Sequence, residues 1–378
     1  MHRFVTLFFF ICFVQSVHTL DIKILIDEQT CPTWKITAAR GFQVFQADEK
    51  TAVDLKATHH SLVITVANGK FCINGTPYKG DAFVVSSIKR HALFHNNYYD
   101  GHFLIQKKGD SYVLINCLEL EEYVFGVLKT ESWPGWPLEM HKVMAIVCRT
   151  YALYQRNEAE RKKICYHLTN TNTHQTYSGA HCTPVLRQAV FETKNVYVSY
   201  KNKPILAMFD CCCGSVIPGR IQNGTSFVTA PYLARMYACT YCKSYPNIYS
   251  WRKEYRGGSM KHYLEEKYGK DQVGDIIDMK VTKRDTAGLV KEVSVKTSRR
   301  SLTLSGAQMY KYVNGIKSLD FKITVKNPAS KNRRYVVIEG KGFGHHVGLC
   351  QWGARQMIKD GMSYLSVLAF YYPGTKIL

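Results

Sequence analysis

Glu131 is the residue whose position most asks for a chemical explanation. Leu120, Val124, Val127 and Leu128 recur at helical spacing, and Glu131 falls on the same stripe. A carboxyl on an apolar face, in a last turn where the helix dipole disfavours negative charge, is pushed toward its protonated form. A general acid for an ether or glycosidic oxygen needs that state. The alternative is a frayed, solvated helix end. Trp133 and Trp136 follow at once, and flat indoles either stack on sugar rings or fill a core. Trp133, beside the carboxyl, is a candidate substrate contact.

Sulfur is the second concentration of chemistry. Of thirteen cysteines, five sit in Cys211-Cys212-Cys213 and Cys239-Thr240-Tyr241-Cys242. The Cys-x-x-Cys spacing is a zinc half-site, and Cys213, Cys239 and Cys242 would serve as ligands of a closed structural ion. The fourth ligand is open among Cys211, Cys212, Asp210 and His174. A disulfide with buried thiols is the competing reading. Cys117, Cys148 and Cys350 read as small buried hydrophobes. No cofactor is expected for catalysis. Arg149 interrupts an apolar helix, either paired with an acid such as Glu131 or Glu139 or anchoring a substrate carboxylate. Gly342-x-Gly344-x-x-x-Gly348 is one residue too long for a dinucleotide fingerprint. Its neighbours His345 and Gln351 are candidate sugar contacts or structural hydrogen-bonding groups.

These residues need an α+β scaffold. Strands are expected at Ile22–Ile26, Leu62–Val66 and Ala82–Val85, with a hairpin pairing Phe103–Gln106 with Tyr112–Ile115. They form a β-rich N-terminal module, residues 20–115. Residues 116–378 form a mixed domain with a groove. Asn116 and Glu119 resemble a capping box, which predicts a helix from Cys117 to Ser132. Trp133-Pro134-Gly135-Trp136-Pro137 breaks it, and Pro137 opens a second helix marked by Met140, Met144, Val147, Tyr151 and Tyr154. Strands follow at Val196–Tyr200 and Pro204–Phe209, then a strand-rich stretch at about 278–325. A strand at Tyr335–Ile338 and a helix over Gln351–Lys359 come last.

Composition bounds the setting. Apolar residues make up 46% and charged residues 21%, which excludes a disordered tail or coiled coil. Basic residues number 50 against 29 acidic ones, a net charge of +21 that suits a polyanion. Met1-His2-Arg3, an apolar run from Phe4 to Val14 and a small polar stretch give residues 1–19 the pattern of a secretory signal peptide. Later stretches are too short and polar to span a membrane. An exported chain seldom meets nucleic acid, so the expected compartment is the periplasm or cell wall. The run Lys331-Asn332-Arg333-Arg334 reads as a solvated face.

Several pieces, in order, match one family. Leu120-Glu121-Glu122-Tyr123-Val124-Phe125-Gly126-Val127, Glu131, Trp136-Pro137-Leu138-Glu139 and Arg149-Thr150-Tyr151-Ala152 come first. Thr173-His174-Gln175-Thr176-Tyr177-Ser178-Gly179 follows, then Cys213-Gly214, Pro231-Tyr232-Leu233, Cys239-x-x-Cys242 and Trp251. Gly342-Phe343-Gly344-His345-His346-Val347-Gly348-Leu349-Cys350-Gln351-Trp352-Gly353-Ala354 and Tyr371-Tyr372-Pro373-Gly374-Thr375 close the set. Over about Tyr98–Leu378 the chain resembles the SpoIID/LytB family (stage II sporulation protein D). The resemblance implies a peptidoglycan lytic transglycosylase acting on glycan strands stripped of their peptides, or an amidase enhancer partnered with a peptidoglycan amidase. The family's catalytic glutamate falls on Glu131, and its Gln-x-Tyr-x-Gly loop makes Gln175 and Tyr177 candidate substrate contacts. His346 stands where the family has glycine, Cys350 where it has serine, and Ser132 where methionine is frequent. If that loop lines the groove, His346 and Cys350 would alter substrate fit or abolish turnover.

Overall fold

The computed structural model describes residues 20–47, 60–88, 91–222, 227–326 and 335–378. The signal-like segment and the Lys331–Arg334 run lie outside them. The chain is α+β, and its described residues form two large hydrophobic cores and a small cluster of Val113, Ile115 and Cys117.

The first core starts between two six-stranded sheets. One runs in the order Leu168–Thr169, Asp21–Gln29, Ser111–Glu119, His102–Lys108, Ala82–Ser87, Phe42–Gln46. The other runs Thr76–Pro77, Lys70–Ile73, Ser61–Ala67, Thr33–Thr37, Ala92–Phe94, Asn97–Tyr99. Alternate residues point inward: Ile22 and Ile24 from one sheet, Trp34, Ile36, Leu62 and Ile64 from the other. Phe71 of the second sheet meets the edges of Phe83 and Tyr112 of the first, centroids 5.2 and 5.1 Å apart.

Strands cover the expected segments of residues 20–115, the hairpin included, and the chain stays in one strand across 115/116. Strand Ser111–Glu119 crosses that point, and the helix opens at Leu120, three residues later than expected. The strand persists because both its edges are taken: Cys117 lies opposite Lys23 on one side and His102 on the other. Asn116 therefore caps nothing. Its amide donates to the Asp100 and His102 carbonyls and its oxygen accepts from the Tyr177 hydroxyl. The glutamate helix, Leu120–Glu131, buries Tyr123, Val124, Val127 and Leu128 against the long helix, Leu138–Arg161, and Pro137 stands just outside the latter's first turn. A continuous core passes from the sheets through these helices to the C-terminal segments. Expected strands at 196–200 and 204–209 shrink to Val198–Tyr200, Lys203–Pro204 and Phe209–Asp210.

The second core belongs to residues between Ser250 and Lys341. Strands Ser250–Arg256, Tyr335–Lys341 and Asp320–Lys326 form one sheet; Ile276–Arg284, Val290–Thr297 and Ser301–Ser305 form another. Helices Gly257–Tyr268 and Gly306–Tyr312 complete it, the latter opened by a capping box from Ser305 and Gln308. The stretch expected to be strand-rich is thus part of a separately cored body, inserted between the cysteine segment and the glycine loop. The glutamine helix, Gln351–Lys359, has the expected bounds.

Candidate active site

Glu131 ends the glutamate helix with its side chain half-buried. Oε1 accepts the main-chain N–H of Thr176 at 2.6 Å. The same irregular segment is held to the helix by the Thr130 hydroxyl, which donates to the Thr176 carbonyl. Gly126 allows this approach: a Cβ there would lie 2.6 Å from the Tyr177 ring. Loss of hydration raises the Glu131 pKa, and the Thr176 hydrogen bond offsets only part of that rise. Among the described residues no ion pair involves Glu131 and no second carboxylate perturbs it. Burial thus favours the protonated carboxyl, and the Thr176 N–H favours its ionised form.

The helix end is fastened from two sides. Four carbonyls at a helix C-terminus lack intrahelical partners, and the Glu131 carbonyl finds one in Gln351 Nε2, at 2.8 Å. On the other side the N–H of Ser132 returns to the Leu128 carbonyl, and its buried hydroxyl lies 2.8 Å from Nδ1 of His141 on the long helix. Ser132 thus has a specific part, locking the turn after the glutamate. Trp133 follows with 67% of its surface exposed, the open aromatic nearest the carboxyl along the chain. Trp136 instead packs edge-on to Trp352, 5.8 Å away, tying the turn to the glutamine helix.

Of the residues expected at the site, the structure brings Glu131 and Gln351 together, with Trp133 adjoining. Three others are placed elsewhere. Arg149 has no exposed surface. Its guanidinium forks onto Glu121, at 2.9 and 2.6 Å, and its third contact is the Val196 carbonyl. It faces neither Glu131 nor Glu139 and has nothing to offer a substrate carboxylate. Gln175 is also wholly buried, its oxygen accepting from the Tyr123 hydroxyl at 2.9 Å. Tyr177 is spent on Asn116 and packs against Tyr123 and Tyr99. Both expected substrate contacts are internal struts that set the height of Thr176 between them. Thr176 is the functional residue that sequence reasoning missed, since a main-chain donor leaves no mark on side-chain pattern.

His345 is exposed, with Nε2 donating to the Phe209 carbonyl and Nδ1 accepting the Val347 N–H. Its ring is thus committed to the loop rather than free for a sugar. His346 is buried in the left-handed region, φ +67°, its N–H on Asp210 Oδ2 at 2.7 Å and its Nδ1 3.0 Å from the Cys213 carbonyl. Its side chain does not reach the surface. Nor does that of Cys350, which is buried with the other cysteines. Both side chains are buried, so neither is placed to meet a substrate directly.

The expected zinc ligands Cys213, Cys239 and Cys242 converge in the core, and the fourth sulfur with them is Cys350. All four Sγ atoms lie within 4.8 Å of one another. Cys211, Cys212, Asp210 and His174, the candidates for that place, are not part of this set.

A family model described as stage II sporulation protein, SpoIID, matches residues 108–200, from the last sheet strands through the glutamate and long helices. An uncharacterised protein of Brachyspira hyodysenteriae is 30% identical over 286 residues, 74% of this chain and 72% of that protein. Stage II sporulation protein D of Bacillus subtilis is 27% identical over 280 residues, 70% of this chain and 75% of that one.

The chain belongs to the SpoIID family. The amidase enhancer of Bacillus subtilis is a further relative, 24% identical over 293 residues, 67% of this chain but 40% of that longer protein. A domain of unknown function (DUF8618) matches residues 236–348, which takes in the second core and the glycine loop through Gly348. Among the described residues no helix is long and apolar enough to cross a membrane.

Proposed function

We propose that this SpoIID-family protein is an exported peptidoglycan lytic transglycosylase with Glu131 as its single general acid and base. The observation that carries the reading is a half-buried carboxyl, raised in pKa by desolvation, without a charged partner, and held by one main-chain donor beside an exposed indole. In this reading protonated Glu131 gives its proton to the oxygen of the MurNAc–GlcNAc bond as that bond breaks. The carboxylate then takes the proton of the muramic acid C6 hydroxyl, whose oxygen closes on C1 to leave a 1,6-anhydro end. The sugar supplies its own nucleophile, so the second carboxylate of ordinary glycosidases is not needed.

The Thr176 N–H stabilises the carboxylate between the two proton transfers, and Trp133 gives a sugar ring a flat face. The net charge of +21 suits strands that keep a carboxylate on every stripped muramic acid. Export to the periplasm or cell wall agrees with the signal-like N-terminus. The relative named as an amidase enhancer favours a second reading, a non-catalytic glycan-binding partner of a peptidoglycan amidase.

Incubating peptide-stripped strands with the wild type and with Glu131→Gln separates the two. A lytic transglycosylase releases fragments that the variant does not. A binding or activating module retains strands, or stimulates an amidase, equally well in both forms.

A further inference from the structure

Cys213, Cys239, Cys242 and Cys350 come from three separate segments: the turn after strand Phe209–Asp210, the 3-10 turn Tyr241–Ser244 with its approach, and the residue capping the glutamine helix. The structure assigns them as a closed tetrathiolate site for one zinc ion, which fastens the start of the glutamine helix to the segments behind it.

The spacing fits the ion. Zinc–sulfur bonds of about 2.3 Å in a tetrahedron put the sulfurs roughly 3.8 Å apart, and Cys213 and Cys242 are 3.9 Å apart with all six separations within 4.8 Å. All four residues are buried, which leaves no open position for water or substrate and makes the site structural. On binding, Zn2+ displaces four thiol protons to solvent and leaves a centre of net charge −2.

The surroundings suit that negative charge. Cys350 Sγ accepts the N–H groups of Cys213 at 3.3 Å and Gly353 at 3.4 Å, the latter in the first turn of a helix, where the dipole favours a thiolate. The Tyr371 hydroxyl lies 3.2 Å from Cys239 Sγ. Arg235, wholly buried, stacks over the same tyrosine ring with Nε and one terminal nitrogen unpartnered. A dianionic centre adds countercharge beside this guanidinium, which also faces the Asp210 carboxyl. Residue 353 must be glycine, because a Cβ there would stand 2.6 Å from Cys239 Sγ.

Pairing the sulfurs as disulfides would draw partners to about 2.05 Å and undo the four-way convergence. The ion's consequence for catalysis rests on the Glu131 reading. By seating Cys350 it seats Gln351, whose amide holds the Glu131 carbonyl.

The test is metal analysis of the full chain purified without chelator, followed by cobalt(II) titration of the reduced, metal-stripped chain. The expected result is one zinc per chain and, with cobalt, the intense sulfur-to-metal bands of a tetrahedral thiolate site. Cys242→Ala should lose both signals, and Cys117→Ala, on a distant strand, should keep both. If Cys242→Ala does not fold, a mercurial added to the wild type should release one zinc as four thiols react. Absence of zinc together with absence of cobalt bands overturns the assignment, as does non-reducing mass spectrometry showing the four sulfurs as disulfides. Glu131→Gln should carry a full complement of zinc, so failure of the metal site and failure of the catalytic reading appear in different measurements.

Discussion

The Glu131 pocket and the four-cysteine cluster lie on either side of the first turn of the glutamine helix, and both withdraw ionisable groups from water. They differ in what is left over. At the cluster every sulfur faces other sulfurs or a donor, and all four are buried. At the pocket the carboxyl keeps a main-chain donor, no countercharge among the described residues, and an exposed tryptophan two residues on. A group kept short of partners is one whose proton can move. A group fully supplied with partners holds structure. Arg149 obeys the second rule, with its fork filled by Glu121 and its third contact by a carbonyl.

Breaking each side in turn tests this division. The largest effect is expected at the pocket. Removing a general acid costs about 10²–10⁴-fold in rate, so Glu131→Gln should lose turnover on stripped strands while its zinc content and circular dichroism match the wild type. Next comes Arg149→Met, which leaves Glu121 charged without its partner. Breaking a buried pair from one side costs about 3–5 kcal/mol, so denaturant midpoints should fall sharply, whereas the folded fraction should bind strands as before. Selective loss of strand affinity at full stability would instead return Arg149 to the substrate.

Gln351→Ala severs the link between the two sites. One hydrogen bond is worth roughly 1 kcal/mol, so kcat should fall several-fold with KM and zinc content unchanged, as expected of a positioning residue. The pH dependence of stability sharpens the comparison further. Burial holds the Glu131 pKa above its ordinary 4.5 in the folded chain. Between that value and the raised one the folded state binds more protons than the unfolded state. Stability from this group is therefore complete below pH 4.5 and falls as pH rises through the raised pKa. Glu131→Gln removes that loss, so the variant should gain stability relative to wild type between acid and neutral pH, as read by thermal melts in matched buffers.

The smallest effect is expected for His346→Gly. It relieves a left-handed residue but gives up a contact with Cys213, so stability should move by no more than about 1 kcal/mol and turnover should stay as it was.

What the chain revealed by pattern alone follows the same physics. Glu131 was legible because a periodic apolar stripe makes a lone acid stand out, and the glutamine helix because its spacing is local. Gln175, Tyr177 and Arg149 were misplaced because polar type suggests exposure, whereas each is buried and bonded to groups inside the fold. The start of the glutamate helix was misplaced because a capping pattern at Asn116 lost to two flanking strands. Cys350 escaped notice as a ligand because 137 residues separate it from Cys213, with the whole second core between them. Only folding brings them together.

The most direct test of the account is the mass of the reducing ends released from peptide-stripped glycan strands in isotopically labelled water. The account predicts 1,6-anhydro ends, lighter than hydrolysed ends by one water and free of label, from the wild type and none from Glu131→Gln. Labelled, hydrolysed ends from the wild type, or anhydro ends from the variant at the wild-type rate, would contradict it.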